Sequence, residues 1–273
     1  MKMLHFDDEL VAEKSASDHQ HRDGLDLDFP FPVPSKFAAR RWMKWKRAQR
    51  VVGNSWVLRR LTIGMIARIQ FQILRGHKDP EVLRRIQRCR RESESLLTGN
   101  EAFILYSLAQ AQSRRNAPMA EVGVFQGSSA RIICEAKSDC PLHLFDTFSG
   151  LPQPAEGEHR TFRTGQFSAS LSAVSDLLSR YPAVIFHPGR FPSTSIGLEH
   201  LRFSFVHLDA DLYDSTFASL DFFYPRMVAN GIILTHDYST VPGVAQAFAD
   251  FFAVRPEAII ELPTSQAMIV VRS

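Results

Sequence analysis

The sequence predicts an α/β fold: a mostly parallel sheet covered by helices on both faces, with one antiparallel edge strand and a helical cap at its N-terminal side. Three observations carry this. Beyond residue 96, short and fully apolar runs alternate with amphipathic stretches of helical period, the pattern of strands buried on both faces. Most of these runs stop at a glycine, aspartate or histidine, standing where such sheets bind ligands, outside the carboxyl ends of their strands. The last two runs, Ala258–Leu262 and Ala267–Val271, are separated only by Pro263-Thr264-Ser265-Gln266, a spacing that suits a closing hairpin.

Residues 1–35 read as a mobile acidic arm. They hold eight acidic and three basic side chains, have no apolar core of a secretory leader, and end in Phe29-Pro30-Phe31-Pro32-Val33-Pro34, whose prolines favour extended chain. Residues 36–91 hold seventeen basic and two acidic side chains. Gly53-Asn54 and the stretch from Gly76 to Pro80 divide them into helices, and 36–95 is taken as a basic helical cap. The domain proper is taken as 96–273, with twelve basic and seventeen acidic residues. It opens with a helix in which Phe103, Leu105, Leu108 and Ala109 face inward. Strands follow at Met119–Phe125, Leu142–Phe145, Ala183–Phe186, Phe203–Leu208 and Gly231–Leu234, with helices through Glu135 and over Leu171–Arg180, Thr216–Met227 and Pro242–Phe252. Three cysteines without metal-ligand spacing exclude a disulfide framework and a Cys-zinc centre, and a reducing, cytoplasmic setting is expected. No uncharged run has the length of a membrane span.

The strand ends carry the chemistry. After the first strand stands Glu121-Val122-Gly123-Val124-Phe125-Gln126-Gly127-Ser128-Ser129, a tight turn leading into a helix with free N–H groups. It is neither a phosphate-binding loop, since no lysine follows, nor the full dinucleotide fingerprint, since Phe125 replaces the middle glycine. Asp146 lies nineteen residues after Gly127, near the ~20-residue offset at which a carboxylate meets ribose hydroxyls; a cap for the helix or turn beginning at Thr147 is the less favoured alternative. At a strand end, Asp146 is expected to be removable without harm to the fold. The fourth strand ends in Asp209 and the fifth in His236-Asp237. Carboxylates at adjacent strand ends repel one another unless a cation or proton lies between them. His236 adds an imidazole able to take a proton or bind a metal.

These blocks resemble the class I S-adenosylmethionine-dependent methyltransferases and, more narrowly, the macrocin O-methyltransferase family of sugar O-methyltransferases. The similar stretches are Leu97–Ala109, Glu121–Ser129, Phe145–Pro152, Gly189–Thr194, Val206–Thr216 and Gly231–Asp250. The resemblance implies a seven-stranded Rossmann-like sheet, S-adenosylmethionine as cofactor, and a sugar or glycosylated small molecule as acceptor. By position, Glu121, Gly123, Gly127 and Ser129 would line the methionine part of the cofactor, Asp146 would hold the ribose, and Gly189 and Arg190 would border the adenine. Relatives hold Mg²⁺ with a carboxylate after strand four and an Asp-Asp pair after strand five. Here those positions are Asp209 and His236-Asp237, so Asp209 and Asp237 are the expected metal ligands and His236 departs from the pattern. Because hard Mg²⁺ prefers oxygen, His236 is assigned as base before ligand, with Asp209 beside it as the second catalytic residue.

Two rival readings stand beside this one. A metallohydrolase would use His207, Asp209, Asp211, His236 and Asp237, but leaves the glycine turn and Asp146 idle. A membrane-surface or polyanion-binding module would use the basic segment 36–91, where Trp42, Trp45, Val52 and Trp56 fall on one helical stripe among arginines and lysines. A domain cap or homo-oligomer face explains that stripe more simply, and nucleic acid fits less well than either. The loop Glu156–Gln166, with Gly157 and Gly165, has the composition of a lid.

Overall fold

The computed structural model describes residues 56–156, 158 and 162–272. The acidic arm and the stripe residues Trp42, Trp45 and Val52 lie outside the described residues, as does part of the expected lid. Residues 55–273 form one compact unit.

Among the described residues three helices come first: α1 (Trp56–Leu74), α2 (Pro80–Glu92) and α3 (Gly99–Ser113). Each boundary has a local cause. At α2, Asp79 accepts a hydrogen bond from the Glu81 N–H, Pro80 supplies a preset φ in the first turn, and Arg90 and Arg91 sit at the negative end of the helix dipole. At α3, Thr98 and Glu101 form a reciprocal capping box. Helix α1 buries Ala67, Phe71 and Leu74, while Leu61, Met65, Ile69 and Ile73 face solvent on its opposite side, so it is apolar on two faces.

The alternating region follows: β1 (Met119–Val122), α4 (Ser128–Ala136), β2 (Leu142–Asp146), α5 (Leu171–Leu178), β3 (Val184–Pro188), β4 (Phe203–Leu208), α6 (Tyr213–Phe223), β5 (Met227–Thr235), α7 (Pro242–Phe252), β6 (Ile260–Glu261) and β7 (Ala267–Val270). The sheet has seven strands in the order β3-β2-β1-β4-β5-β7-β6. Strands β1 to β5 are parallel, and β7 runs antiparallel to both β5 and β6. The predicted hairpin therefore closes the sheet, with the antiparallel strand one place in from the short edge strand β6. Strand β5 is longer than expected, beginning at Met227 because Phe203 pairs with it across a register shift.

Side chains alternate between two cores, as a pleated strand requires. Met119, Leu144, Phe205 and Leu234 pack with α1 to α5 on one face. Ala120, Phe145, Val206 and Ile233 pack with α6 and α7 on the other. The sheet order reverses between β1 and β4, so the loops after these two strands diverge to opposite faces and leave a crevice between them. Among the described residues no helix is long and apolar enough to cross a membrane.

Candidate active site

The loops after β1 to β5 meet at this crevice and enclose a cleft of about 1040 Å³, part of it open to solvent; the connection between α2 and α3 (Glu94 to Leu97) forms a further wall. Among the described residues, nine other than glycine have left-handed φ, and four of these (Phe125, Phe167, Asp211, Asp237) line the cleft. Such strain tends to collect where loops are shaped for a ligand.

The turn after β1 is built by Gly123. It has φ +88°, and a Cβ there would lie 2.0 Å from the carbonyl oxygen of Asp209. The loops after β1 and β4 thus touch through backbone, which brings the two halves of the cleft together. Gly123→Ala combines overpacking with a disfavoured φ and is expected to cost about 2–4 kcal/mol. An unchanged melting temperature would show that the two loops do not meet.

Gly127 has a packing role of its own. It caps α4 with φ +78° and backs onto Val174 and Leu177 of α5, so it packs helix against helix and is not among the residues lining the cleft. Glu121 also stands away from the cleft lining. It is fully buried on the α4 side of the sheet, opposite His207 in the β1–β4 register, and its Oε1 lies 2.8 Å from His207 Nδ1. Burial pushes the Glu121 carboxyl up, with His207 and Ser129 pulling against it. Neither member of the pair lines the cleft, which also removes His207 from the acidic cluster. Ser129, Gly123, Asp146, Gly189 and Arg190 do line it.

Asp146 has more work than its position suggested. Its Oδ2 accepts the Val124 and Phe125 N–H groups at 2.7 and 2.9 Å, and its Oδ1 accepts the Phe148 N–H at 2.7 Å. The turn-capping role and an anchoring role on the β1 loop are therefore both present. With about four acceptor positions on a carboxylate, Oδ1 keeps one free position, and Asp146 itself lines the cleft.

At the far end of the cleft, ligand atoms of Asp209, His236 and Asp237 all lie within 4.8 Å of one another. His236 Nδ1 is 3.5 Å from Asp209 Oδ1 and 3.2 Å from Asp237 Oδ2, while Nε2 faces Glu101 Oε2 at 3.6 Å. None of these approaches is aligned as a regular hydrogen bond, so the ring is buried with both nitrogens short of one. Burial disfavours the charged ring, but Asp237 and Asp209 outweigh it and hold the imidazole well above its ordinary pKa. Burial likewise works against the Glu101 carboxylate, yet His236, the Thr98 N–H and Ser265 overrule it and keep that carboxyl below the usual range. Glu101 is fixed by Thr98 N–H at 2.7 Å and Ser265 Oγ–H at 2.7 Å.

Glu101 is thus a residue of the cluster that sequence reading missed. Its capping-box spacing was legible, but its reach across to the loop before β7 was not. The Glu94 side chain, also at the cleft, was missed as well.

Residues 111–263 match the family described as macrocin-O-methyltransferase (TylF). A curated relative, the 8-demethyl-8-(2,3-dimethoxy-alpha-L-rhamnosyl)-tetracenomycin-C 4'-O-methyltransferase of Streptomyces olivaceus, is 29% identical over 137 residues, which is 44% of this chain and 52% of that protein. The chain therefore spans about half the length of the curated relative it matches. Among solved structures, the O-methyltransferase NovP superposes with a TM-score of 0.58 at 21% identity, covering 66% of this chain and 82% of its own. The O-methyltransferase TomG of Streptomyces achromogenes, solved with S-adenosylmethionine, superposes with a TM-score of 0.52 at 15% identity, covering 77% of this chain and 98% of its own. These likenesses establish the class I methyltransferase fold, and the family match runs from the end of α3 to the turn before β7, across every strand end that lines the cleft: the chain belongs to the macrocin-O-methyltransferase family.

Proposed function

We propose that this protein transfers the methyl group of S-adenosylmethionine to a hydroxyl of a sugar or glycosylated small molecule. The observation that carries this is the joining of two sites in one cleft. The glycine turn, Asp146 and Gly189 line one part, and the Asp209–His236–Asp237 cluster lines the other. A methyl donor and a proton acceptor would then face the same reacting oxygen. The sugar specificity is supported by the relative that methylates a rhamnosyl 4'-hydroxyl.

The residues present suit the cofactor. Helix α4 begins without a side-chain cap, so its first N–H groups are available to a carboxylate. Ser128 Oγ at the same place is buried without a partner. The remaining Oδ1 direction of Asp146 suits one ribose hydroxyl, and Gly189 and Arg190 would border the adenine. The cofactor supplies an already activated methyl group, so the protein's part is to position the acceptor and remove its proton.

A sugar hydroxyl is too weakly acidic to ionise at neutral pH. Asp209 and Asp237 offer the hard oxygen ligands that Mg²⁺ prefers. When held there, Mg²⁺ would lower the pKa of a hydroxyl in its shell and offset the carboxylate charge that keeps His236 protonated. His236 is the side chain placed to take the hydroxyl proton, with Glu101 on the Nε2 side of its ring and Asp209 and Asp237 on the Nδ1 side. The metallohydrolase reading has no comparable support, since His207 is occupied with Glu121.

Titration calorimetry with S-adenosylhomocysteine tests the cofactor half. Micromolar binding is expected, and no binding would sink the methyltransferase reading. Mass spectrometry of small molecules that co-purify with the protein would identify the acceptor class.

A further inference from the structure

The α2–α3 connection brings a carboxylate to the cleft that nothing above employs. Glu94 lines the cleft together with Phe125, Ser128 and Ser129. Its Oε2 accepts a hydrogen bond from Gln126 Nε2 at 3.1 Å. Gln126 is the residue before Gly127, the N-cap of α4, so this bond tethers Glu94 beside the start of that helix. The other oxygen, Oε1, is buried with no hydrogen-bond partner, and among the described residues no Lys, Arg or His forms an ion pair with Glu94. A buried carboxylate oxygen left without a donor is costly, because it has lost water and gained nothing in return. A carboxylate only accepts hydrogen bonds, and its best partner is a cationic donor.

Beside it lies the opposite chemistry. The first turn of α4 presents N–H groups that no side chain caps, and Ser128, itself 6% exposed, aims an unpartnered hydroxyl into the same cleft. A positive helix end and a hydroxyl suit a ligand carboxylate. A negative side chain a short distance away suits an ammonium. The two together match an α-amino acid end, in which one carboxylate and one ammonium share a carbon.

We propose that Glu94 binds the α-ammonium group of the methionine part of the cofactor through Oε1, while the start of α4 and Ser128 bind its carboxylate. This rests on the cofactor reading above and adds a residue to it. It makes Glu94 a cofactor-positioning side chain that lies outside both the glycine turn and the family-matched segment 111–263.

The test compares two ligands that differ in the amino acid end. S-adenosylhomocysteine carries it, and 5'-methylthioadenosine has the same nucleoside and sulfur without it. Calorimetry on the full chain is expected to give Glu94→Gln a ~10–100-fold loss of affinity for S-adenosylhomocysteine and no change for 5'-methylthioadenosine. Glu94→Asp keeps the charge but withdraws it by one methylene, and an intermediate loss is expected for the first ligand only. Thermal melts of both variants establish that they are folded. Unchanged affinity for S-adenosylhomocysteine in Glu94→Gln would overturn the proposal, and so would equal losses for both ligands, which would mean general damage to the cleft. If the unaltered protein binds 5'-methylthioadenosine and S-adenosylhomocysteine equally well, the ammonium site is overturned while the nucleoside reading survives. If it binds neither, both fail.

Discussion

Asp237→Asn is expected to lower turnover by ~10²–10⁴-fold, the scale of losing an essential group in proton transfer, while leaving S-adenosylhomocysteine affinity nearly unchanged. Asparagine is the informative replacement because Asp237 has φ +57°, a conformation Asn tolerates and Ala does not. The Thr240 hydroxyl, which donates to Asp237 Oδ1 at 2.7 Å, can still donate to an amide oxygen. What the change removes is charge. Asp237 Oδ2 lies 3.2 Å from His236 Nδ1, so a neutral side chain would weaken both the proposed cation site and the field that orients the ring. His236→Ala is expected to lose activity on the same ~10²–10⁴-fold scale. Steady-state kinetics on both variants, each with and without EDTA and added Mg²⁺, separates the contributions. Full activity of the unaltered protein in EDTA would discard the metal and leave Asp209, beside a protonated His236, as the proton acceptor. Full activity of Asp237→Asn would discard the cluster as the catalytic centre.

Asp146→Ala should reduce stability as well as cofactor affinity. Three backbone N–H groups lose a charged acceptor at once. Hydrogen bonds to charged groups are worth about 1.5–3 kcal/mol each, and water in the cleft can replace part of that, so a net loss of about 2–4 kcal/mol is expected. The β1 loop then loses the tether that shapes it around a ligand, and S-adenosylhomocysteine affinity is expected to fall by at least ~10-fold beyond the loss of any direct contact. Chemical denaturation and calorimetry on the same samples check both halves. Unaltered stability would mean that the loop holds its shape without the carboxylate.

Much of this was legible from residue order alone. The parallel strands announced themselves as apolar runs because both their faces are covered, and Asp209 and His236-Asp237 stood out because polar residues follow such runs abruptly. The closing hairpin followed from its four-residue connection. What was not legible depends on register and facing. Glu121 belongs to a strand in which alternate side chains enter opposite cores, and only the pairing of β1 with β4 sets it against His207. Gly127 looks like a ligand-binding glycine in any linear reading, yet its Cα faces α5, an element more than forty residues later in the chain. Glu101 carries a complete local explanation as the third residue of a capping box, and that sufficiency hid its second partner.

The same glutamate has a kinetic consequence. Its bond to Ser265 spans 164 residues, so it cannot form until the chain has brought α3 and the hairpin before β7 to one place. Contacts this distant in sequence are slow to gain, because the loop they close must be ordered first. Helix α3 can be capped by Thr98 early, from neighbours alone, but the orientation of His236 waits for the last strands to dock. During refolding, far-ultraviolet signal should therefore recover ahead of enzymatic activity, and the Asp209–His236–Asp237 end of the cleft should mature after the glycine turn.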